Sequence, residues 1–314
     1  MADFVFDIYR LNIVDDDTLL GFMGAPMRRN DEISRVISEA TNPKYDVVRE
    51  NPTSIHKWSL RDFFSIEQEQ LPLGEALGVT LARSTLEKRG PIVTDTGIEQ
   101  GVSEAEPPLA SYVQLLFHMS RHLVAVEYNS TIMASDTWRD VLHEILSKAA
   151  SELQFRSTIR LMPLPNIEEV LSAFRSFERL TRFRARLLVP NPELTRYSKK
   201  LFDELKSGDI RELLVDMRNP AGLSKNETEL PFAAASIAAA GYKDEEVTLE
   251  GIRAGSSHKQ IVKTGEQPLR GEVEDLRDFV RGISATVRTK EAGEAVRAIL
   301  AEMDRLAEPP APSP

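Results

Sequence analysis

The segment Thr181-Arg182-Phe183-Arg184-Ala185-Arg186-Leu187-Leu188-Val189 alternates cation and apolar residue with a period of two. That period belongs to a β-strand with one face in a core and the other in water, and no helix accommodates it. Arg182, Arg184 and Arg186 therefore share one face, with same-side neighbours roughly 6.6 Å apart. A row of guanidinium forks at that spacing suits a chain of phosphates or a facing row of carboxylates.

The strand sits in a basic neighbourhood of an acidic chain. Between Phe155 and Lys200 there are ten basic residues and four acidic ones, a local charge of +6 in a protein of net charge -10. Such asymmetry is expected of a local anion site, and equally of arginines paired with the protein's own carboxylates. Around it the pattern reads strand, helix, strand, helix. Ser157–Met162 is the first strand; Asn166 caps the first helix, with Glu169 in the capping-box position. Ile167, Val170, Leu171, Phe174 and Phe177 form its apolar stripe, which puts Arg175 and Arg179 one turn apart. Pro190-Asn191-Pro192 stops the arginine strand, and the helix expected over Glu193–Lys206 carries Lys199 and Lys200.

The flanking chain has mixed periodicity. Strands are expected at Asp3–Val14, Lys57–Ser65 and Val79–Ser84, a helix at Asp31–Ala40, and a hairpin joining Tyr112–Phe117 to His122–Tyr128. Ser135 opens a helix through Trp138, Val141, Leu142, Ile145, Leu146 and Ala149. Gly90, Pro91, Gly97, Gly101, Pro107 and Pro108 make Leu86–Ser111 a long exposed loop. Downstream come an alanine-rich helix over Pro231–Ala240 and a hairpin pairing Val247–Arg253 with Lys259–Lys263, where Arg253, Lys259 and Lys263 add a second cationic spot. The last helix carries Val296, Ile299, Leu300, Met303 and Leu306, a stripe for packing or for a homo-oligomer, before an unstructured proline-rich tail. The whole is an α+β protein with antiparallel or mixed sheets. Its expected segments are 1–154, a basic unit over 155–270, and C-terminal helices with the tail over 271–314.

Chemistry-bearing motifs are incomplete. There is no GxGxxG, GxxxxGK[ST] or HExxH, so neither a dinucleotide or nucleotide cofactor nor a zinc-protease site is expected. With no cysteine in 314 residues there are no disulfides or thiolate metal sites. His118 and His122 are spaced as helical metal ligands but lie among strand-forming residues. Asp15-Asp16-Asp17 reads as a solvated loop, and Ser257-His258 as part of a polar turn. Asp203-Glu204-Leu205-Lys206 contains the Glu-x-Lys string of metal-dependent nucleases, but on a helix, where Glu204 and Lys206 diverge by about 200°. The first residues lack a basic leader, and no run reaches the roughly 18 apolar residues of a membrane span, so the expected location is the cytoplasm.

The run His122-Leu123-Val124-Ala125-Val126-Glu127-Tyr128 before a Trp138 helix, then Arg182–Pro192, then Ala240-Gly241-Tyr242 leading into Val247–Gly255, resembles an uncharacterised bacterial domain-of-unknown-function family of similar length. More distantly, the strand order and the basic strand before a proline stop are similar to the phage lambda exclusion protein RexA and to the DNA-binding subunit of the Kiwa defence system. The resemblance implies an anti-phage sensor or effector that binds DNA or a phage protein, as an oligomer. Three readings stand at this point: nucleic-acid binding through Arg182, Arg184 and Arg186 with Arg175, Arg179, Lys199, Lys200, Arg253, Lys259 and Lys263 around them; recognition of an acidic protein partner by the same face; and a Mg²⁺-dependent nuclease whose carboxylates meet only in the fold.

Overall fold

The computed structural model describes residues 2–15, 27, 29–66, 76–104, 106, 108–188, 199–208, 210–256, 258–282 and 290–307. In chain order the elements are β1 (Phe4–Asp15), α1 (Asn30–Glu39), β2 (Val47–Asn51), β3 (Ser54–Ile66), β4 (Ala76–Thr94), β5 (Gly97–Glu104), β6 (Ala110–His118), β7 (Leu123–Glu127) and α2 (Thr137–Glu152). There follow β8 (Ser157–Pro163), α3 (Ile167–Arg175), β9 (Phe177–Leu188), α4 (Lys199–Ser207), β10 (Glu212–Arg218), α5 (Leu230–Ala239), β11 (Val247–Arg253), β12 (Gln260–Thr264), β13 (Arg270–Val273), α6 (Arg277–Gly282) and α7 (Lys290–Ala307). The fold is α+β, with every strand pairing antiparallel.

Nine strands form one sheet in the order β13-β1-β7-β6-β4-β3-β2, with β5 continuing on β4 and β8 on β1. β1 is buried on both faces. Phe4, Phe6 and Ile8 point to α6 and α7, while Tyr9 and Leu11 point to α1 and α2. Two separate cores therefore sandwich one sheet, which is why so many of its strands read as continuous apolar runs. Val296, Ile299, Leu300 and Met303 of α7 are wholly inaccessible in the second of these cores, so the C-terminal stripe is used up in packing and offers no surface for the oligomer expected there.

The remaining four strands form a second sheet, β10-β9-β11-β12. It is an excursion from the edge of the first. β8 and β13 pair along the same side of β1, and where the chain leaves and returns, Leu269 donates to the Leu164 carbonyl at 2.7 Å. Sheet membership thus runs differently from the expected segments: the strand at 157–163 and the elements beyond 270 belong with the first sheet. One face of the second sheet is covered by α3, α4 and the alanine-rich α5, which is buried on all sides because alanine lets it fit between α3 and β9.

Several expectations change. Leu86–Ser111 is not a loop: residues 87–94 of β4 pair with 97–104 of β5 as a two-stranded ribbon. Its apparent breakers are in register, Gly90 opposite Gly101 and Pro91 opposite Gln100, and the Ile92 side chain lies in the space over Gly101. α3 ends at Arg175, so Phe177 and Arg179 begin β9 and do not continue the helix. Asn166 does cap α3 through the Glu168 amide, but Glu169 reaches across to the Thr264 hydroxyl and closes no capping box. Ser135 bonds Thr137, and the cap position of α2 falls to Asp136. The strands β2, β10 and β13 carry no counterpart among the expected elements. Pro190–Pro192, the start of the helix expected from Glu193, Asp16-Asp17, Ser257 and the tail lie outside the described residues.

β11 bulges against β9 between Glu250 and Gly251. A Cβ on Gly251 would overlap the Arg179 carbonyl oxygen, a backbone atom that cannot swing aside. Gly251→Ala should therefore lower the stability by about 2 kcal/mol, read from the denaturation midpoint, with Gly90→Ala, where a Cβ meets nothing and the backbone is not left-handed, as the tolerated comparison.

Candidate functional site

β9 is the central element of the site, and its alternation holds in the structure. Phe183, Ala185 and Leu187 are buried in the core under the second sheet, while Arg182, Arg184 and Arg186 stand on the opposite, uncovered face. The neighbouring strands decide what those arginines meet. In register, Arg182 faces Arg218 and Glu250, and Arg184 faces Asp216 and Thr248.

Arg182 grips Asp216 with two parallel bonds of 2.8 Å each and reaches Glu250 at 2.8 Å with its third nitrogen. Hydrogen bonds from Arg182, and secondarily from Arg218, hold the Asp216 carboxyl far below the usual carboxylate range. Glu250 is shared with Lys259 at 2.5 Å and is likewise depressed, by Lys259 first and Arg182 next. Arg186 bridges Glu212 at 3.0 Å and Asp244 at 3.5 Å. Lys263 pairs with Glu246 at 3.0 Å, Arg218 with Asp216 at 2.9 Å, and Arg175 with Glu227 at 2.9 Å. Much of the expected cationic surface is therefore cross-braced by the protein's own acids.

Arg184, in the middle of the row, is different. It is exposed and has no carboxylate partner among the described residues. Arg179 is also exposed and unpaired among them, beside the loop at Gly222. Arg253 lays its guanidinium 5.3 Å from the Phe177 ring centre and leaves a buried Nε without an acceptor. Lys200 is exposed on α4; Lys199 opens that helix, and its side chain lies outside the described residues.

At the end of the sheet nearest these groups the surface is concave. A cleft of about 400 Å³ is lined by Thr181, Arg182, Arg218, Pro220, Glu250 and Lys259. A second, of about 850 Å³, lies between the 219–224 loop and the end of β11, with Arg179, Asn219, Leu223, Ile252 and Ser256 among its walls. Both have the size of a small-ligand or nucleotide site. Exposed Leu214 and Ile261 lie on the same open face as the arginines.

The two histidines spaced as ligands are engaged in the fold. His118 lies at the end of β6 against Ser120 and Asp304, and His122 in the following turn binds Asn30, with burial pushing its pKa down to about 4. Among the described residues no three His, Asp or Glu side chains gather as a metal site. Glu204 and Lys206 are on α4, as the helical reading expects. Asp216, Arg218 and Glu250 are neighbours of the arginine row that the sequence pattern does not point to. The signal for β10 was present in Leu213, Val215 and Met217, which alternate with Leu214, Asp216 and Arg218.

No protein-family model matches the chain, and neither does any curated protein searched. Among the described residues no helix is long and apolar enough to cross a membrane.

At the rim of the site Lys243 is buried, has no ion pair among the described residues, and has its pKa lowered by burial to about 8. The unfolded chain holds that proton up to the ordinary value of 10.5, so between about 8 and 10.5 unfolding takes up a proton and stability rises with pH. Lys243→Met should melt higher than the parent at pH 7, by an amount on the order of 2 kcal/mol, and the gap should shrink as pH approaches that upper value. Parallel melting curves at all pH values would contradict this.

Proposed function

We propose that this protein binds nucleic acid through phosphate contacts on the open face of its second sheet, and acts as a sensor or effector in bacterial anti-phage defence. The observation that carries the reading is Arg184, an exposed guanidinium at the centre of an arginine row with no carboxylate of its own among the described residues. Arg182 beside it is held by a bidentate pair with Asp216 and Arg186 by single bridges to Glu212 and Asp244, so the flanking forks are oriented before any ligand arrives. Arg179, exposed and lining the 850 Å³ cleft, extends the supply of uncommitted cations toward it. The similarity to RexA and to the Kiwa subunit supplies the setting of defence.

The chemistry favours backbone contact over base reading. Among the described residues the outer face offers arginine, lysine, leucine and isoleucine but no aromatic ring, and single-stranded binders that use a sheet face depend on aromatic platforms for their bases. A duplex, met through its phosphates, fits such a face better. Recognition of an acidic protein surface is the second reading, and exposed Leu214 and Ile261 beside the cations favour it.

The test is fluorescence anisotropy with duplex and single-stranded DNA and RNA across a salt series. Binding should weaken with a log-log slope of roughly -3 to -5 and prefer duplex. Arg184→Glu should reduce affinity at least about tenfold with an unchanged melting temperature, whereas Arg182→Gln should lower both affinity and stability because it removes the bidentate partner of Asp216 and one of the two cations on Glu250, leaving them to Arg218 and Lys259. Absence of binding at low salt would remove the nucleic-acid reading and leave the acidic partner.

A further inference from the structure

A cluster of exposed apolar side chains lies away from the arginine face, on the ribbon formed by β4 and β5. Beyond Arg89, whose amide donates to the Thr53 carbonyl, no third strand accompanies it among the described residues. Residues 89–94 and 97–103 form two strands with open outer edges, and Val93, Ile98 and Val102 are 85%, 75% and 52% exposed. These three lie on one side of the ribbon with Pro91 and Gln100. A lone two-stranded ribbon in water is marginally stable, and an open edge beside an apolar face is a template for another strand. Residues 87–104 carry Glu87, Asp95, Glu99 and Glu104 against Lys88 and Arg89, so nucleic acid is a poor occupant.

We propose that the occupant is β5 of a second copy, paired antiparallel across a two-fold axis through Gln100. A two-fold axis perpendicular to the ribbon keeps its faces on the same side, so one residue must lie opposite itself. With Gln100 on the axis, Ile98 of each chain faces Val102 of the other and Glu99 faces Gly101. Apolar groups meet apolar groups, and no like charges are opposed. The neighbouring registers are worse: an axis through Glu99 sets that carboxylate against itself, and one through Gly101 sets Ile98 against Glu104. The pairing turns two isolated ribbons into one four-stranded sheet whose apolar side is continuous.

Because the chain has no cysteine, the register can be read by a single introduced thiol. The Gln100→Cys variant places two thiols on directly opposite residues about 4.5–5.5 Å apart between Cα atoms, within disulfide range. In Glu99→Cys they are offset by two residues, roughly 8 Å apart, and out of range. Expected results are a dimeric parent chain by sedimentation, a disulfide dimer from Gln100→Cys but not from Glu99→Cys, and a halved mass with an unchanged melting temperature for the Ile98→Glu/Val102→Glu double variant. A monomeric parent chain, equal cross-linking at both positions, or a dimer that survives the double substitution would overturn the proposal.

Discussion

The buried guanidinium of Arg10 joins the two sheets. It stands on β1 with almost no solvent contact, donates to the Arg121 carbonyl at 2.7 Å and to the Ala240 carbonyl at 3.0 Å, and lies 4.6 Å from the centre of the Tyr242 ring. A charge so placed is tolerated only while each carbonyl stays where it is, which fixes the turn after β6 and the end of α5 to the same strand. Asn12 adds a bond to the Gly241 carbonyl, and Gly241 has the positive φ of 83° that this close turn requires. From there the constraint passes to the arginine strand. Tyr242 accepts the Leu188 amide, Asp244 donates its amide to Arg186, and the Asp244 carboxylate bridges Arg186 to Arg160 on β8. Burial first, and the charge of Arg10 next, lower the pKa of His122, so that histidine stays neutral beside Arg10.

How much of this was legible depended on the range of the interaction concerned. The arginine strand could be read because its signal is local: Phe183, Ala185 and Leu187 turn inward every second residue whatever the neighbours are. The carboxylates that occupy its forks come from β10, β11 and the 244–246 segment, more than thirty residues away on average, and only the strand register brings Asp216 and Glu250 to Arg182. Local stripes also misled. Phe177 continues the helical spacing of Phe174, yet both are buried in one core because a strand can carry on where a helix stops, facing the same α5. The ribbon was hidden because glycine and proline count as breakers in isolation. Gly90 and Gly101 are instead directly opposed, and the missing side chain at Gly101 makes room for Ile92.

The acidity of the chain takes on a different meaning once the pairs are known. Asp216, Glu250, Glu212 and Asp244 surround the arginine row and restrain it. A solvent-exposed pair contributes little to stability, but a bidentate one fixes a long side chain in a single rotamer. Ligand binding to such a face then loses less side-chain entropy, while it must compete with the resident carboxylates for the same donors. The balance favours a ligand that brings several anions in a row, since it can use Arg184 at once and displace the flanking carboxylates with its further charges.

The same reasoning separates the two exposed regions. On the second sheet, the open face is charged and the apolar groups Leu214 and Ile261 are scattered among cations, which suits a wet, reversible contact. On the ribbon, Val93, Ile98 and Val102 sit together, the edge of β5 carries unpaired backbone groups, and the nearby charges are acidic. Backbone groups on a bare edge ask for another strand, whereas guanidiniums on a sheet face ask for anions. Two surfaces with such different demands need not compete for one partner. A ribbon paired with its own copy would present two arginine faces in one assembly, and a ligand long enough to reach both would be held by their combined effective concentration, well beyond what one face achieves alone.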